Sequence, residues 1–240
     1  MRLRLDRLLV ERGLAESREK AQALIMAGEV LLNGQKAAKP GQAAESDARV
    51  EVLARPPYVS RGGLKLAAAL KEFAIDVTGR VCVDIGSSTG GFTDALLQAG
   101  AARVHAVDVG SGQLDWRLRT DPRVVVHEGI NARELEFTDI GELADLISCD
   151  VSFISVTLIL PAAVRLLQPT GRMVILIKPQ FEVGRGQVGK GGIVREPELH
   201  QAACDRITGA VDELGFATRI MESPILGAEG NKEFLLYAYH

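Results

Sequence analysis

Four charged residues stand where the sequence predicts the ends of buried strands or the turns beside them. Asp150 and Lys178 each end an apolar run. Glu233 begins the last apolar run, and Lys65 lies near the start of a predicted helix. A lysine directly after Val174–Ile177 is unusual, because that strand is otherwise suited to burial. Doubly wound folds bind ligands at such strand ends, so these acids and bases form a candidate catalytic group, although each one singly could be a solvated or ion-paired residue.

A glycine-rich segment, Asp84–Gly91, follows a predicted strand and opens a helix. Its glycines let the backbone approach a ligand at the helix N-terminus. The spacing differs from the dinucleotide pattern G-x-G-x-x-G, which argues against a nicotinamide-dependent oxidoreductase. Asp108 ends the next strand, where a carboxylate can accept hydrogen bonds from ribose hydroxyls, and Asn131 follows the third strand as a candidate adenine contact. A capped glycine turn without a ligand is the alternative interpretation.

The glycine-rich segment resembles the first motif of S-adenosylmethionine-dependent methyltransferases. The candidate contacts to S-adenosyl-L-methionine are Asp84, Gly86, Ser88, Thr89, Gly90, Phe92, Asp108 and Asn131. Phe92 and Trp116 are expected to pack rather than to stack on a base.

The elements that must position these residues alternate between strand and helix from residue 80 onwards. The predicted strands are Val81–Ile85, Val104–Val107, Val124–Val126, Leu146–Cys149, Met173–Ile177, Ala217–Met221 and Phe234–Tyr239. The predicted helices between them are Gly91–Gln98, Val156–Leu167 and Glu198–Leu214. Near-continuous apolar strands separated by helices indicate a mostly parallel sheet covered on both faces, with an antiparallel strand at the end. The predicted class is therefore α/β, a Rossmann-like fold with a seven-stranded sheet.

The first fifty residues predict a small α+β unit. Two short helices, the second capped by Ser17, precede a hairpin at Asn33–Gly34 and a strand at Arg49–Val52. The prolines of Arg55–Tyr58 prevent both helix and central strand, so this stretch is a stiff linker. The predicted domains are residues 1–54, a linker at 55–62, and residues 63–240.

The residues around the charged group carry a closer resemblance. In this order Lys65, Asp150, Lys178 and Glu233 resemble the K-D-K-E tetrad of FtsJ-like ribose 2′-O-methyltransferases. Four longer segments resemble the TlyA family, also called hemolysin A: Ser60–Leu66, Ser87–Thr93, Asp150–Ser155 and Lys178–Gly184. The N-terminal unit is similar to the S4 RNA-binding domain that this family carries. The resemblance covers nearly the whole chain.

The resemblance implies methylation of a cytidine ribose 2′-hydroxyl in ribosomal RNA or ribosomal subunits, with no metal required because the methyl donor is already activated. Lys178 would act as a base if neutral, or as the charge that stabilises the developing alkoxide, with Asp150 and Glu233 orienting the lysines and the hydroxyl. The chain has little before its first helix and ends at its last strand, which resembles the shorter TlyA form. 23S rRNA is therefore the favoured target, with 16S rRNA as the second.

Charge is distributed unevenly, which agrees with an anionic partner for the first part of the chain. Residues 1–72 hold 13 Lys and Arg against 9 Asp and Glu, and the remainder holds 15 against 22. Small basic surfaces are also common without such a partner. The candidate RNA contacts are Arg2, Arg4, Arg7, Arg18 and Lys20 in the small domain, with Arg61, Arg185 and Lys190 beside the catalytic region. Arg18 and Lys20 could instead be ordinary solvated helix residues.

Other classes are disfavoured by what the sequence lacks. No apolar run approaches the roughly 20 residues that span a bilayer, so neither a membrane partner nor a cytolysin, the activity the family's older name suggests, is expected. The early charges of Arg2 and Arg4 argue against a signal peptide, and three scattered cysteines argue against disulfides, so a cytoplasmic location is expected. A non-catalytic RNA-binding or ribosome-assembly factor remains the main alternative.

Overall fold

In a computed structural model, described for residues 2–53, 56–227 and 230–240, the chain forms two units, Met1–Pro56 and Pro57–His240. Arg55 of the predicted linker and the side chain of Arg185 lie outside what is described. Within the described ranges, no helix combines the length and apolar character that crossing a bilayer requires.

The N-terminal unit has two helices and two small sheets. Its elements are β1 (Arg2–Arg4), α1 (Leu5–Glu11), α2 (Arg18–Met26), β2 (Val30–Leu32), β3 (Gln35–Lys36), β4 (Ala43–Glu45) and β5 (Val50–Val52). The predicted helices and hairpin are confirmed: Ser17 Oγ accepts a hydrogen bond from the Lys20 amide at 3.2 Å, and Asn33 and Gly34 both have positive φ. The antiparallel pairing of β1 with β4 was not predicted.

The C-terminal unit contains the alternating elements. They are α3 (Gly62–Glu72), β6 (Val81–Ile85), α4 (Gly91–Gln98), β7 (Arg103–Asp108), α5 (Trp116–Arg119), β8 (Val124–Glu128), α6 (Phe137–Ile140), β9 (Ala144–Cys149), α7 (Leu160–Arg165), β10 (Leu167–Ile177), α8 (Pro179–Glu182), α9 (Pro197–Asp212), β11 (Ala217–Glu222) and β12 (Phe234–Tyr239).

One seven-stranded sheet organises this unit, in the order β11-β12-β10-β9-β6-β7-β8. The five strands from β10 to β8 run parallel to their neighbours, and β12 is antiparallel to both β10 and β11. The predicted fold class is thereby confirmed. Parallel strands bring their carboxyl ends to one edge, so the loops after β6, β7, β9 and β10 lie together there.

Successive side chains of a strand point to opposite faces of the sheet, and in this unit both faces are covered by helices. In β6, Val83 and Ile85 pack on the side of α7 and α9, whereas Cys82 packs with α3 and α4. Both groups are almost fully buried. A strand that is apolar on both faces must be covered twice, which fixes it near the middle of the sheet.

The prediction of one continuous helix over Val156–Leu167 was wrong. The chain instead makes a 3₁₀ turn at Val156–Leu158, starts α7 at Leu160, and enters β10 at Leu167. Pro161 accounts for the break, because it lacks an amide hydrogen and its ring clashes with the carbonyl four residues earlier in a helix.

Candidate active site

The four predicted catalytic residues form two ion pairs that line one cavity of about 620 Å³. Lys65, in the first turn of α3, pairs with Glu233, which immediately precedes β12. Lys178 follows β10, and its Nζ lies 2.5 Å from Oδ1 of Asp150, which follows β9. All four residues line the cavity. Their proximity follows from the shared strand edge, while their catalytic role stays a prediction.

The Lys65–Glu233 pair is buried, with side-chain exposures of 10% and 2%. Removing charges from water is costly unless they are paired, so each of these side chains holds the other in place. Gly227 provides the space for this carboxylate, since a Cβ at that position would overlap the side chain of Glu233. The pair therefore forms a rigid, electrically balanced wall of the cavity.

Lys178 has a second partner that was not predicted. Its Nζ donates a hydrogen bond to Ser152 Oγ at 2.9 Å. The contact of Lys178 Nζ with Asp150 Oδ1 is short, yet this oxygen has no hydrogen-bond partner among the described residues. The two groups are therefore close but poorly aligned for a hydrogen bond. Asp150 thus supplies a compensating charge, and Ser152 supplies the directional hydrogen bond.

The glycine-rich loop between β6 and α4 borders the same cavity. Gly86 has φ of +84°, and a Cβ there would overlap the carbonyl of Asp150, so only glycine fits. The predicted contacts Ser88, Thr89 and Phe92 also line the cavity. Phe92 is otherwise buried, at 3% exposure, so it combines packing with a position in the cavity wall.

A second cavity, of about 570 Å³, adjoins the first and contains Asp108 and Asn131. The two cavities share Gly86, Ser88, Asp150, Ser152 and Phe153 as lining residues. The Asp108 carboxylate accepts hydrogen bonds from the amides of Ser88, at 2.8 Å, and Gly110, at 2.7 Å. Each carboxylate oxygen has a further lone pair, so the bonds fix Asp108 without exhausting its capacity as an acceptor.

Asn131 makes local hydrogen bonds at the edge of this second cavity. Its Oδ1 accepts from the Arg133 amide at 3.2 Å and caps a 3₁₀ turn, Ala132–Glu134. Its Nδ2 donates to Glu134 at 3.2 Å. The cap orients the side chain, and its contact with adenine stays a prediction.

Asp84 and Gly90 line neither cavity. Asp84 has no exposed surface and accepts hydrogen bonds from the hydroxyls of Thr93, at 2.7 Å, and Ser148, at 2.9 Å. Burial raises the pKa of Asp84 to about 7. The carboxyl group therefore links the glycine-rich loop's strand to α4 and β9, and its contact with a cofactor stays a prediction.

Sequence reasoning missed an exposed aromatic residue at the junction of the cavities. Phe153 is 88% exposed and has φ of +68°, a conformation that is unfavourable for a bulky residue. Its ring lies 5.3 Å from that of Phe181, centroid to centroid. An exposed aromatic ring on a strained backbone beside both cavities is a candidate contact surface for a ligand. The available signal was an aromatic residue placed directly after a strand-end aspartate.

The glycine-rich segment Gly184–Gly192 contributes Val188 and Gly192 to the first cavity. Asn231, which is also buried and was not predicted, donates from Nδ2 to the Gly192 carbonyl at 2.9 Å and accepts from the Val194 amide at 3.0 Å. The end of the loop is thus attached to the segment that carries Glu233.

Trp116, predicted to pack, is 71% exposed, and that prediction was wrong. It begins the single-turn helix α5, in which Leu118 instead faces the core. Among the described residues, no group of three or more potential metal ligands lies together.

In the N-terminal unit, a buried acid organises two of the predicted RNA contacts. Asp6 has no exposed surface and accepts hydrogen bonds from Arg4, at 3.0 and 2.8 Å, from Arg18 at 3.1 Å and from Gln22 at 2.9 Å. The Arg4 guanidinium, together with Gln22 and Arg18, holds the pKa of Asp6 well below its usual range. Both arginine side chains remain 48% exposed, so they present fixed positive charge to the solvent.

The remaining predicted basic contacts whose side chains the structure describes are exposed. Arg7 is exposed, and its backbone amide donates a hydrogen bond to Asp6 Oδ1 at 2.9 Å. Lys20 pairs with Glu16 one turn away. In the C-terminal unit, Arg61 is exposed and lines the first cavity. RNA binding by these residues stays a prediction.

Comparisons with known proteins agree with this geometry. The FtsJ-like methyltransferase family matches residues 58–239, and the S4 domain matches residues 3–50. A Bacillus subtilis protein named as a candidate rRNA methyltransferase, YqxC, is 50% identical over 98% of this chain and 85% of its own. The Mycobacterium tuberculosis 16S/23S rRNA (cytidine-2′-O)-methyltransferase TlyA is 48% identical over 98% of this chain and 89% of its own. A solved Streptococcus thermophilus chain, described as a candidate hemolysin, is 45% identical with a TM-score of 0.75, covering 99% of this chain and 88% of that one.

Proposed function

The chain belongs to the FtsJ-like methyltransferase family, and on that premise we propose that it methylates the ribose 2′-hydroxyl of a cytidine in ribosomal RNA. The observation that carries the proposal is the gathering of two lysines and two carboxylates, Lys65, Asp150, Lys178 and Glu233, around one cavity. The S4 domain at residues 3–50 supports an RNA substrate. A ribosomal RNA substrate also implies action in the cytoplasm, as expected from the sequence.

S-adenosyl-L-methionine is the proposed methyl donor, and the second cavity fits a nucleoside. Gly86 and Asn131 line this cavity, and the amide-fixed carboxylate of Asp108 can accept hydrogen bonds from ribose hydroxyls. When bound, this donor supplies a methyl group already activated on a sulfonium. The protein must therefore supply placement and proton handling.

Lys178 is the proposed catalytic residue. Its Nζ lies in the cavity beside Asp150 and Ser152, where it would take the proton of the 2′-hydroxyl as a neutral amine or stabilise the developing negative charge as an ammonium. The buried Lys65–Glu233 pair lines the same cavity and would help to orient the hydroxyl. Preorganised charges of this kind need not rearrange during the reaction.

Phe153 is the proposed platform for the target base. A cytidine inside a helix cannot reach this cavity unless it leaves its stack, and unstacking costs a few kcal/mol. Stacking on an aromatic side chain returns about 1–3 kcal/mol per base. The exposed ring of Phe153, with Phe181 beside it, offers that surface at the edge of the cavity.

Methylation of rRNA from cells that lack this protein tests the proposal. Purified protein should add 2′-O-methylcytidine, detected by mass spectrometry of RNase fragments, and mapping both 23S and 16S rRNA identifies the target. Lys178→Ala should lose methyl transfer while calorimetry finds cofactor binding largely unchanged. The matched control is Lys71→Ala, which removes an exposed lysine from the last turn of α3.

The outcomes separate this function from its main alternative. Retained turnover in Lys178→Ala would refute the catalytic assignment. Wild-type protein that binds ribosomal subunits tightly but never methylates their RNA would indicate a non-catalytic assembly factor. The predicted preference for 23S rRNA would be wrong if only 16S fragments gained a methyl group.

A further inference from the structure

The hydrogen bond between Ser152 and Lys178 leads to an inference about how the proposed catalytic lysine is oriented. The lysine side chain is 12% exposed, so its carbon chain is held by packing. Packing does not fix the rotation about the Cε–Nζ bond, because the three substituent positions on the nitrogen have the same shape. An aligned hydrogen bond is needed to select one rotation.

Ser152 is the partner that provides this alignment. Among the described residues, Lys178 Nζ has two partners: Ser152 Oγ, at 2.9 Å with hydrogen-bond geometry, and Asp150 Oδ1, close but poorly aligned. An ion pair depends mainly on distance, whereas a hydrogen bond weakens steeply as its angle worsens. Asp150 therefore sets the charge around Nζ, and Ser152 sets its direction.

The tetrahedral nitrogen leaves one position for a ligand. With one position directed to Ser152 and one close to Asp150, the third is free to face the cavity that Lys178 lines. In an ammonium this position carries an N–H that can stabilise a developing alkoxide. In a neutral amine that donates one hydrogen to Ser152 and keeps the other on the side of Asp150, it carries the lone pair that accepts a proton. The same orientation thus serves both versions of the chemistry.

We propose that Ser152 is a positioning residue for methyl transfer, whose hydroxyl directs the free position of Lys178 Nζ towards the ribose 2′-hydroxyl. The inference rests on the proposed function and adds a residue to it. Ser152 lines both cavities and immediately precedes Phe153, so the segment that would orient the lysine also carries the proposed platform for the base. Correct placement of the base and of the catalytic nitrogen would then depend on the same short loop.

Substitution of the hydroxyl tests the inference in the full-length protein. Ser152→Ala should slow single-turnover methylation of rRNA by roughly tenfold or more, because small errors in alignment have large effects on rate. The KM for RNA, the Kd for S-adenosylmethionine and the melting temperature should stay close to wild type. Ser152→Thr, which keeps a hydroxyl, should recover most of the rate. Thr138→Ala, at an exposed position of α6, is the control for loss of a hydroxyl elsewhere.

Each result decides between orientation and a merely structural role. Wild-type rates in Ser152→Ala, or a threonine variant as slow as the alanine variant, would overturn the inference. So would a slow alanine variant whose cofactor affinity or melting temperature falls in parallel, since that pattern indicates damage to the loop. If wild-type protein itself fails to methylate rRNA, the proposed function fails instead.

Discussion

Asp84→Asn should stabilise the protein more at pH 8 than at pH 5, relative to wild type. Asp84 is fully buried and burial raises its pKa to about 7, from an ordinary value of 3.8. Between these two values the folded protein holds a proton that the unfolded chain has released. The free energy of unfolding therefore falls as the pH rises, and above pH 7 the folded state bears the cost of a buried carboxylate. Asparagine has nearly the same shape and no charge to bury.

The size of the change in the free energy of unfolding follows from the pH interval between the two pKa values of Asp84. Each pH unit within it contributes about 1.4 kcal/mol, so the full window is worth about 4 kcal/mol and the part between pH 5 and pH 7 about 3 kcal/mol. Thr93 and Ser148 contact different oxygens of Asp84, so in the asparagine variant one hydroxyl can still donate to the amide oxygen while the other rotates to accept from the amide nitrogen, which limits the cost of the substitution itself.

Urea titrations followed by circular dichroism at pH 5 and pH 8 measure this difference. Other titrating groups affect both proteins and cancel in the comparison. Asp76→Asn is the control: Asp76 is exposed, and the Thr78 amide lowers its pKa, so it completes its titration below pH 5. If the difference between Asp84→Asn and wild type is the same at both pH values, the reasoning about the buried carboxyl group is wrong.

Three further predictions concern RNA engagement and the N-terminal unit. Asp6→Ala should destabilise the N-terminal unit by about 2 kcal/mol, measured by urea unfolding, because Arg4 and Arg18 lose their common buried acceptor; an unchanged midpoint would contradict this. Because the pKa of Asp6 is lowered, its contribution is present above about pH 4 and is lost at lower pH, which the same titration in acid should reveal. Phe153→Ala should raise the KM for RNA several-fold without weakening cofactor binding in calorimetry, and a loss confined to cofactor binding would refute the stacking role. Deleting residues 1–54 should reduce methylation of ribosomal subunits far more than cofactor affinity, and equal activity of the shortened chain would exclude an RNA-binding role for that unit.

Much of the sheet could be predicted because its signal is local. Val81–Ile85 and Phe234–Tyr239 are apolar runs, and the structure gives both strands the predicted bounds. The pairing of Arg2–Arg4 with Ala43–Glu45 escaped prediction, since both segments are short and no local pattern marks a pairing across forty residues. The helix predicted over Val156–Leu167 failed because its apolar pattern was given more weight than Pro161.

The candidate active site was likewise predictable where the signal is local and unpredictable where it depends on the path of a loop. Lys178 was detectable because a charge directly after a buried strand conflicts with burial, and the topology then placed Asp150 beside it. The hydrogen bond from Lys178 to Ser152 and the positive φ of Phe153 depend on the path of a loop, which periodicity does not encode. The burial of Asp84 also could not be predicted from the sequence, because its partners Thr93 and Ser148 come from separate elements.

The tight fit between Gly227 and Glu233 offers a genetic tool. A single added methyl group in Gly227→Ala would push the carboxylate away from Lys65 while leaving every ionisable side chain and the entire S4 domain in the protein. On the proposed function, cells carrying such an allele would still contain a protein that can bind its ribosomal RNA substrate. Comparing them with cells from which the gene is deleted would distinguish phenotypes caused by the missing modification from those caused by the missing polypeptide.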